Sequence, residues 1–216
     1  MKKDSLLVYS GGMDSTVMLH KFKDAIAKAV YFNYGSKHME KEYARAKLNC
    51  EKLGIPLIKI DLDFIHDLFK SSLLDGSAEA IPDGDYREDS MKSTVVPFRN
   101  GIMLSIAAGI AESDGLNKVM IANHAGDHTI YPDCRPEFVV ALSTAMQFGT
   151  YEGVQIYAPY SNITKRDIAL IGQGVAVDFK DTYSCYKGGD IHCGTCGTCV
   201  ERKEALEGFD PTQYMA

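Results

Sequence analysis

The sequence predicts an α/β fold: a parallel sheet of about five strands with flanking helices, followed by a small cysteine-bearing C-terminal piece. Three observations lead there. Short apolar runs alternate with amphipathic helical stretches through the first third of the 216 residues. A glycine turn, Ser10-Gly11-Gly12, joins the first apolar run to the first helical stretch. Four of the six cysteines crowd into a short segment near the C-terminus.

Leu6 to Tyr9 reads as a buried strand, because a continuous apolar run stopped by Ser10-Gly11-Gly12 is what a sheet covered on both faces needs. From Ser15, the spacing of Val17, Met18, Phe22 and Ile26 puts apolar side chains on one face of a helix. Ala29 to Phe32 gives a second strand, Glu40 to Leu53 a second helix stopped by Gly54 and Pro56, and Leu57 to Leu62 a third strand. This spacing implies right-handed βαβ crossovers and hence a Rossmann-like parallel sheet. Residues 71–96 break the rhythm with serines, Gly76, Pro82, Gly84 and many acids, predicting a long loop of functional or mobile kind. A helix from about Arg99 to Glu112 precedes a fourth strand, Lys118 to Ala122. Glu137 to Phe148 predicts another helix and Val154 to Ala158 a fifth strand. A short helix over Thr164 to Ile171 follows, capped by Thr164 with Asp167 three residues on. From Thr182 the composition turns to Gly, Cys and Tyr, placing a boundary between residues 1–181 and a subdomain at 182–216.

Composition limits the function classes. Hydrophobic residues make up 45% and charged residues 24%, as in a soluble globular domain large enough to fold without disulfides. The apolar run at the N-terminus is too short for a signal-peptide core, and no later run reads as a membrane span, so a cytoplasmic, reducing location is expected. The net charge is −6. Basic residues between Lys41 and Lys52 are interleaved with Glu40, Glu42 and Glu51, the pattern of a solvated helix face. That balance counts against a nucleic-acid partner, whose binding rests on phosphate neutralisation.

Ser10-Gly11-Gly12-Met13-Asp14-Ser15 falls between the first strand and the first helix, at the sheet edge where ligands of open parallel sheets bind. Consecutive glycines let several backbone N–H groups converge, the helix dipole adds positive potential, and the Ser10 and Ser15 hydroxyls add donors. No lysine follows, so this is not the loop that grips a γ-phosphate. The hexapeptide resembles the PP-loop of the ATP pyrophosphatase superfamily, and the resemblance implies that ATP is split to AMP and pyrophosphate while a substrate oxygen is adenylated. Asp14 beside a phosphate cradle suits a Mg²⁺ ion, the loop geometry or a helix N-cap.

Cys185, Cys193, Cys196 and Cys199 follow the spacing C-x7-C-x2-C-x2-C. Each C-x2-C step turns two thiolates onto one ion, and four complete a closed tetrahedral shell, so a structural Zn²⁺ is expected. Four thiolates also suit an iron–sulfur cluster, and His192 is a candidate substitute ligand. Cys50 reads as a small buried residue. Cys134, in a polar loop, is a candidate nucleophile.

Val96-Pro97-Phe98-Arg99-Asn100, Tyr131-Pro132-Asp133-Cys134-Arg135-Pro136-Glu137-Phe138 and Thr182-Tyr183-Ser184-Cys185-Tyr186 complete the pattern. Together with the loop and the cysteines, they resemble the 7-cyano-7-deazaguanine synthase family, the nitrile-forming enzymes of queuosine precursor biosynthesis. The resemblance runs from Ser10 to Cys199, although residues 71–96 match nothing in it. It implies an adenine nucleotide alpha hydrolase-like fold, a homodimer, and conversion of 7-carboxy-7-deazaguanine, ammonia and ATP to the nitrile through an adenylated carboxylate and an adenylated amide. Asp14 and Arg99 are then the expected catalytic residues, Arg99 pairing with the substrate carboxylate or the α-phosphate. Asp133, Arg135 and Glu137 are candidates for the ring edge. His124 and Asp127 are expected at the active edge, whereas Lys165 and Arg166 read as helix solvation. Two rivals remain at this stage. One is a tRNA-thiolating PP-loop enzyme, which would need a basic surface; the other is a non-catalytic nucleotide-binding or zinc-knuckle module, which would leave ATP intact.

Overall fold

A computed structural model describes residues 3–84 and 91–215. Five parallel strands, β1 (Ser5–Val8), β2 (Ile26–Asn33), β3 (Leu57–Asp61), β4 (Lys118–Met120) and β5 (Gln155–Tyr157), form one sheet in the order β3-β2-β1-β4-β5. The strand order reverses between β1 and β4. A doubly wound sheet opens a crevice there, beyond the carboxyl ends of the strands.

Alternation along each strand supplies both layers. Leu6, Val30, Phe32, Val119 and Ile121 face one side, where Met103, Leu104 and Ala107 of α4 (Arg99–Ser113) cover them. Leu7, Tyr9, Ala29, Tyr31 and Met120 face the other, against α1 (Met13–Lys21), α2 (Met39–Leu53) and α6 (Lys165–Gly174). Burial on both faces is why these strands read as continuous apolar runs. The stretch Lys92–Ser113 is apolar and long enough by composition to cross a membrane. Its α4 portion instead lays Met103, Leu104, Ala107 and Ala111 into the sheet core.

Local signals end the helices where expected. Gly54 closes α2 in the left-handed region at φ 63°, its N–H donating back to the Cys50 and Glu51 carbonyls. Thr164 and Asp167 form the anticipated reciprocal cap of α6: the Asp167 N–H donates to Thr164 Oγ1 at 3.1 Å, and the Thr164 N–H to Asp167 Oδ2 at 2.9 Å. Pro136 opens α5 (Pro136–Gly149).

Two helices were not anticipated. The first, α3 (Asp63–Leu68), is a single short amphipathic turn after β3. The second, α7 (Gly197–Ala205), begins inside the cysteine cluster, so its first turn carries Cys199 where a periodic apolar residue would otherwise mark a helix. Residues 71–96 are also more ordered than their composition suggests, as far as they are described. Leu73 and Leu74 are buried, the Lys37 N–H donates to the Leu73 carbonyl at 2.9 Å, and the Ser72 N–H to the Ser93 carbonyl at 2.8 Å. Residues 85–90 of that stretch lie outside the described residues.

The C-terminal segment packs into the same core. Cys185, Cys196 and Cys199 share the apolar cluster of Leu104 and Val119. Arg202 of α7 is fully buried and, among the described residues, donates to neutral groups: Thr182 Oγ1 (2.8 Å), Ser184 Oγ (3.0 Å), the Phe179 carbonyl (2.6 Å) and Thr212 Oγ1 (2.9 Å). These bonds fix the segment 179–184. Its Tyr183 N–H in turn donates to the Gly11 carbonyl at 3.1 Å.

Candidate active site

At the switch point lies a cleft of about 230 Å³, bounded by the 10–15 loop, the start of α4, and the segment around Tyr183 to Tyr186. Gly11 has φ 80°, and a side chain there would overlap the Glu42 carbonyl oxygen and come within 2.8 Å of the Ala46 nitrogen, so the loop lies directly on the backbone of α2. Ser10 Oγ accepts from the Gly12 N–H at 3.1 Å and sits 3.1 Å from Ser15 Oγ. Within α1, backbone bonding starts with the Thr16 N–H to the Gly12 carbonyl at 3.0 Å. The amides of residues 13–15 are therefore available to an anion at the positive end of the helix.

Behind the loop five charged or titratable side chains converge. Lys165 Nζ lies 2.8 Å from Glu201 Oε2 and 3.2 Å from Asp14 Oδ2. His124 Nε2 is 3.6 Å from Asp127, 3.7 Å from Glu201 and 4.0 Å from Asp14. His124 Nδ1 accepts from the Gly126 N–H at 3.0 Å, so the hydrogen of the neutral ring sits on Nε2, facing the carboxylates. Burial alone would lower the Lys165 ammonium, but Asp14, Glu201 and Asp127 outweigh it and hold its pKa above the usual lysine range. Burial raises Asp127, with His124 and Lys165 pulling the other way. Lys165 is thus no solvated helix residue. Arg166, beside it, donates to the Ala205 and Glu207 carbonyls at 2.8 Å each. Asp14 Oδ1 is buried and has no hydrogen-bond partner among the described residues.

Across the cleft, Arg99 opens α4, donates to the Tyr34 hydroxyl at 2.8 Å and lies 5.0 Å from the centre of that ring. Burial works against its charge, while Tyr34, Tyr186 and Asp133 favour it and prevail. Phe98, just before it, takes a left-handed backbone at φ 53°, which sets the direction in which Arg99 enters. His38 stacks on Tyr186 with centroids 5.3 Å apart and approaches Glu42 Oε1 at 3.7 Å. Sequence reasoning missed His38, Glu42, Tyr34 and Glu201. Each comes from a different stretch than the motifs and reads locally as an ordinary helix or strand residue.

The three candidates for the ring edge stand apart from the cleft lining. Asp133 is buried behind it, where Oδ2 accepts from the Asn100 N–H at 2.8 Å and so caps the first turn of α4. Arg135 is exposed and donates from Nε to the His128 carbonyl at 2.9 Å, and Glu137 is exposed on the first turn of α5. Cys134 does line the cleft, but its Sγ accepts from Asn100 Nδ2 at 3.1 Å, and burial among carboxylates pushes the thiol well above its ordinary pKa. That environment argues against a thiolate nucleophile.

The sulfur atoms of Cys185, Cys193, Cys196 and Cys199 all lie within 4.8 Å of one another, and they could hold a metal ion. The Cys193–Cys199 separation of 3.8 Å matches the edge of a tetrahedron with metal–sulfur bonds of about 2.3 Å. His192 is no ligand here: its Nε2 accepts from the Ser184 N–H at 3.1 Å.

Comparison with known proteins agrees with this geometry. The structure of NMN synthetase from Francisella tularensis aligns over 97% of this chain and 79% of its own, with a TM-score of 0.50 at 13% identity, a likeness of fold. A 7-cyano-7-deazaguanine synthase of Porphyromonas gingivalis is 55% identical over 216 residues, covering 99% of this chain and 98% of that protein. One from Desulfotalea psychrophila is 52% identical over 217 residues, covering 98% and 99%. A family model described as "Queuosine biosynthesis protein QueC" matches residues 4–210. The chain belongs to the QueC family.

Proposed function

We propose that this enzyme converts 7-carboxy-7-deazaguanine, ammonia and ATP into 7-cyano-7-deazaguanine, the product for which its relatives are named. The observation that carries the reading is a cleft with a phosphate cradle at one end and a half-buried arginine beside aromatic rings at the other. The amides of residues 13–15, with the Ser10 and Ser15 hydroxyls, hold the departing pyrophosphate. Lys165, kept cationic by its three carboxylates, adds charge beside it. Arg99 binds the substrate carboxylate or the α-phosphate in a planar fork. The substrate oxygen then attacks the α-phosphorus in line and expels pyrophosphate. Adenylation is required because hydroxide is a poor leaving group and AMP a good one. Ammonia displaces AMP to give the amide, whose oxygen is adenylated in turn; loss of the second AMP leaves the nitrile. One loop serves both adenylations, since each is the same displacement at phosphorus.

Asp14 Oδ1, buried and unpartnered beside the cradle, fits an oxygen ligand of Mg²⁺, which would neutralise charge on the phosphates. The four thiolates suit a structural Zn²⁺. The rings of Tyr34, Tyr131 and Tyr186 offer flat apolar faces to a fused heterocycle. Asp133 acts behind the site as the cap of α4 rather than at the ring. Exposed Phe148 and Tyr151 at the end of α5 suit the homodimer expected of the family, and a cytoplasmic location follows from its small-molecule chemistry.

Mass spectrometry after mixing protein, 7-carboxy-7-deazaguanine, Mg-ATP and an ammonium salt tests the reading. Amide followed by nitrile, with AMP, supports it. AMP without nitrile keeps the nucleotide chemistry and reopens the substrate, and intact ATP refutes both.

A further inference from the structure

One half-buried carboxyl in the cleft has no part in the scheme above. Glu42, on the first turn of α2, has a side chain 14% exposed, and its own carbonyl oxygen is an atom against which Gly11 packs, so it stands beside the phosphate loop. Its side chain lines the cleft together with Tyr31 and Tyr34 from β2 and its extension, His38 from the start of α2, and Arg99 from α4. Among the described residues its ion-pair partner is His38 alone, at 3.7 Å. The orientation of that ring is informative. His38 Nδ1 faces the Tyr186 carbonyl at 3.3 Å, so Nδ1 carries the hydrogen of a neutral imidazole, and the lone pair of Nε2 points toward Glu42. Such a ring can accept a hydrogen bond from a protonated Glu42 once the 3.7 Å separation closes, while Arg99 favours the ionised form. The site therefore accommodates both states of one carboxyl.

The reaction proposed above needs a group with that property. Nitrogen enters as ammonia and leaves as a nitrile, so three N–H bonds are broken. In the first step nitrogen bonds to the acyl carbon, the C–O bond to AMP breaks with its electron pair leaving on the phosphate, and one proton leaves nitrogen. In the second, the amide oxygen bonds to phosphorus, pyrophosphate departs with the electron pair of the broken P–O bond, and nitrogen gives up a second proton. In the third, the C–O bond to AMP breaks, the C≡N bond forms and the last proton leaves. We infer that Glu42 is the catalytic residue that accepts these protons from the reacting nitrogen, releasing each to solvent before the next step, with His38 holding the protonated carboxyl in place. Burial, opposed by Arg99, pushes Glu42 up to about 8, near the range where a base exchanges protons at neutral pH.

The inference rests on the functional reading, and the test separates the two. Wild type, Glu42→Gln and Glu42→Asp are compared in two assays. The first is exchange of labelled pyrophosphate into ATP, driven by 7-carboxy-7-deazaguanine without ammonium, which reports the first adenylation alone. The second is single-turnover amide formation after ammonium is added, with free ammonia held constant across pH. The expected result for Glu42→Gln is exchange within threefold of wild type and amide formation slowed about 100-fold or more, the scale of general-base catalysis. Wild-type amide formation should rise with pH toward a plateau as Glu42 ionises. Glu42→Asp should keep that rise at an intermediate rate, and Glu42→Gln should lose it. Amide formation within fivefold of wild type in Glu42→Gln overturns the inference, and so does loss of exchange together with amide formation. A wild-type enzyme that exchanges pyrophosphate but never forms amide refutes the functional reading itself, and the inference with it.

Discussion

Gly11→Ala isolates the contact between the phosphate loop and α2. Two costs act together. The residue sits at φ 80°, where an L-side chain costs about 1–2 kcal/mol. The new methyl group would also lie 2.8 Å from the Ala46 nitrogen and 3.3 Å from its α-carbon, besides overlapping the Glu42 carbonyl. These are backbone atoms and cannot rotate aside. Relieving the overlap with the Glu42 oxygen to about 3.5 Å requires a shift of about 1 Å between loop and helix, and overpacking of this kind costs about 1–3 kcal/mol. The sum is a loss of about 2–5 kcal/mol in stability, read by urea unfolding. Because the shift falls on the atoms proposed to position the nucleotide, turnover should drop about 100-fold even in the folded fraction, measured as pyrophosphate release. Gly12→Ala is the control for stability. Its φ of −71° is ordinary, and the added carbon meets only Ser10 Oγ at 3.1 Å and the Tyr183 carbonyl at 3.6 Å, so its unfolding midpoint should stay close to wild type. A Gly11→Ala protein with an unchanged midpoint and turnover within threefold of wild type would show that the close approach to α2 is unimportant.

Three further outcomes are expected. Arg99→Ala should lower turnover about tenfold or more, through loss of a charge-assisted contact to carboxylate or phosphate; near wild-type steady-state kinetics would contradict that role. Lys165→Met leaves Asp14 and Glu201 without their buried cation, a loss of about 3–5 kcal/mol. Scanning calorimetry should show a fall in melting temperature of roughly 6–20 °C, and a shift below 2 °C would mean that solvent replaces the ammonium. Elemental analysis should find about one zinc per chain in a colourless protein. Cys196→Ser should release it and abolish ATP cleavage as well, because the cluster shares its core with α4 and the strands beneath the site; full activity without metal would rule that coupling out.

How much of this was legible beforehand depended on how local each signal is. The strands, the 10–15 loop, the α6 cap and the four cysteines are each specified within a few adjacent residues, and spacing alone located them. The charge cluster behind Asp14 is different. It joins α1, the turn after β4, the start of α6 and the middle of α7, and only the folded chain puts them together. Lys165 looked like solvation because a lysine in a first turn normally is, and nothing near it in sequence announces three converging carboxylates. Asp133 was misleading in the opposite way. Its place in a motif suggested ligand contact, whereas its carboxylate is engaged by the Asn100 amide on another element. Glu42 was obscured by Lys41 and Arg45, which make its helix look uniformly polar.

The bond from the Tyr183 amide to the Gly11 carbonyl has a consequence for the timing of synthesis. The hexapeptide is made long before Tyr183, yet its Gly11 carbonyl is secured by that residue, and Arg202, made later still, holds that residue's neighbours. A nascent chain that has not yet reached Tyr183 has strands and helices able to pair, and the loop can already rest on α2, but the Gly11 carbonyl lacks its donor. The completed loop therefore waits for residues 179–202 to be made, and chains that stop before them should be inert toward any phosphate ligand the loop takes.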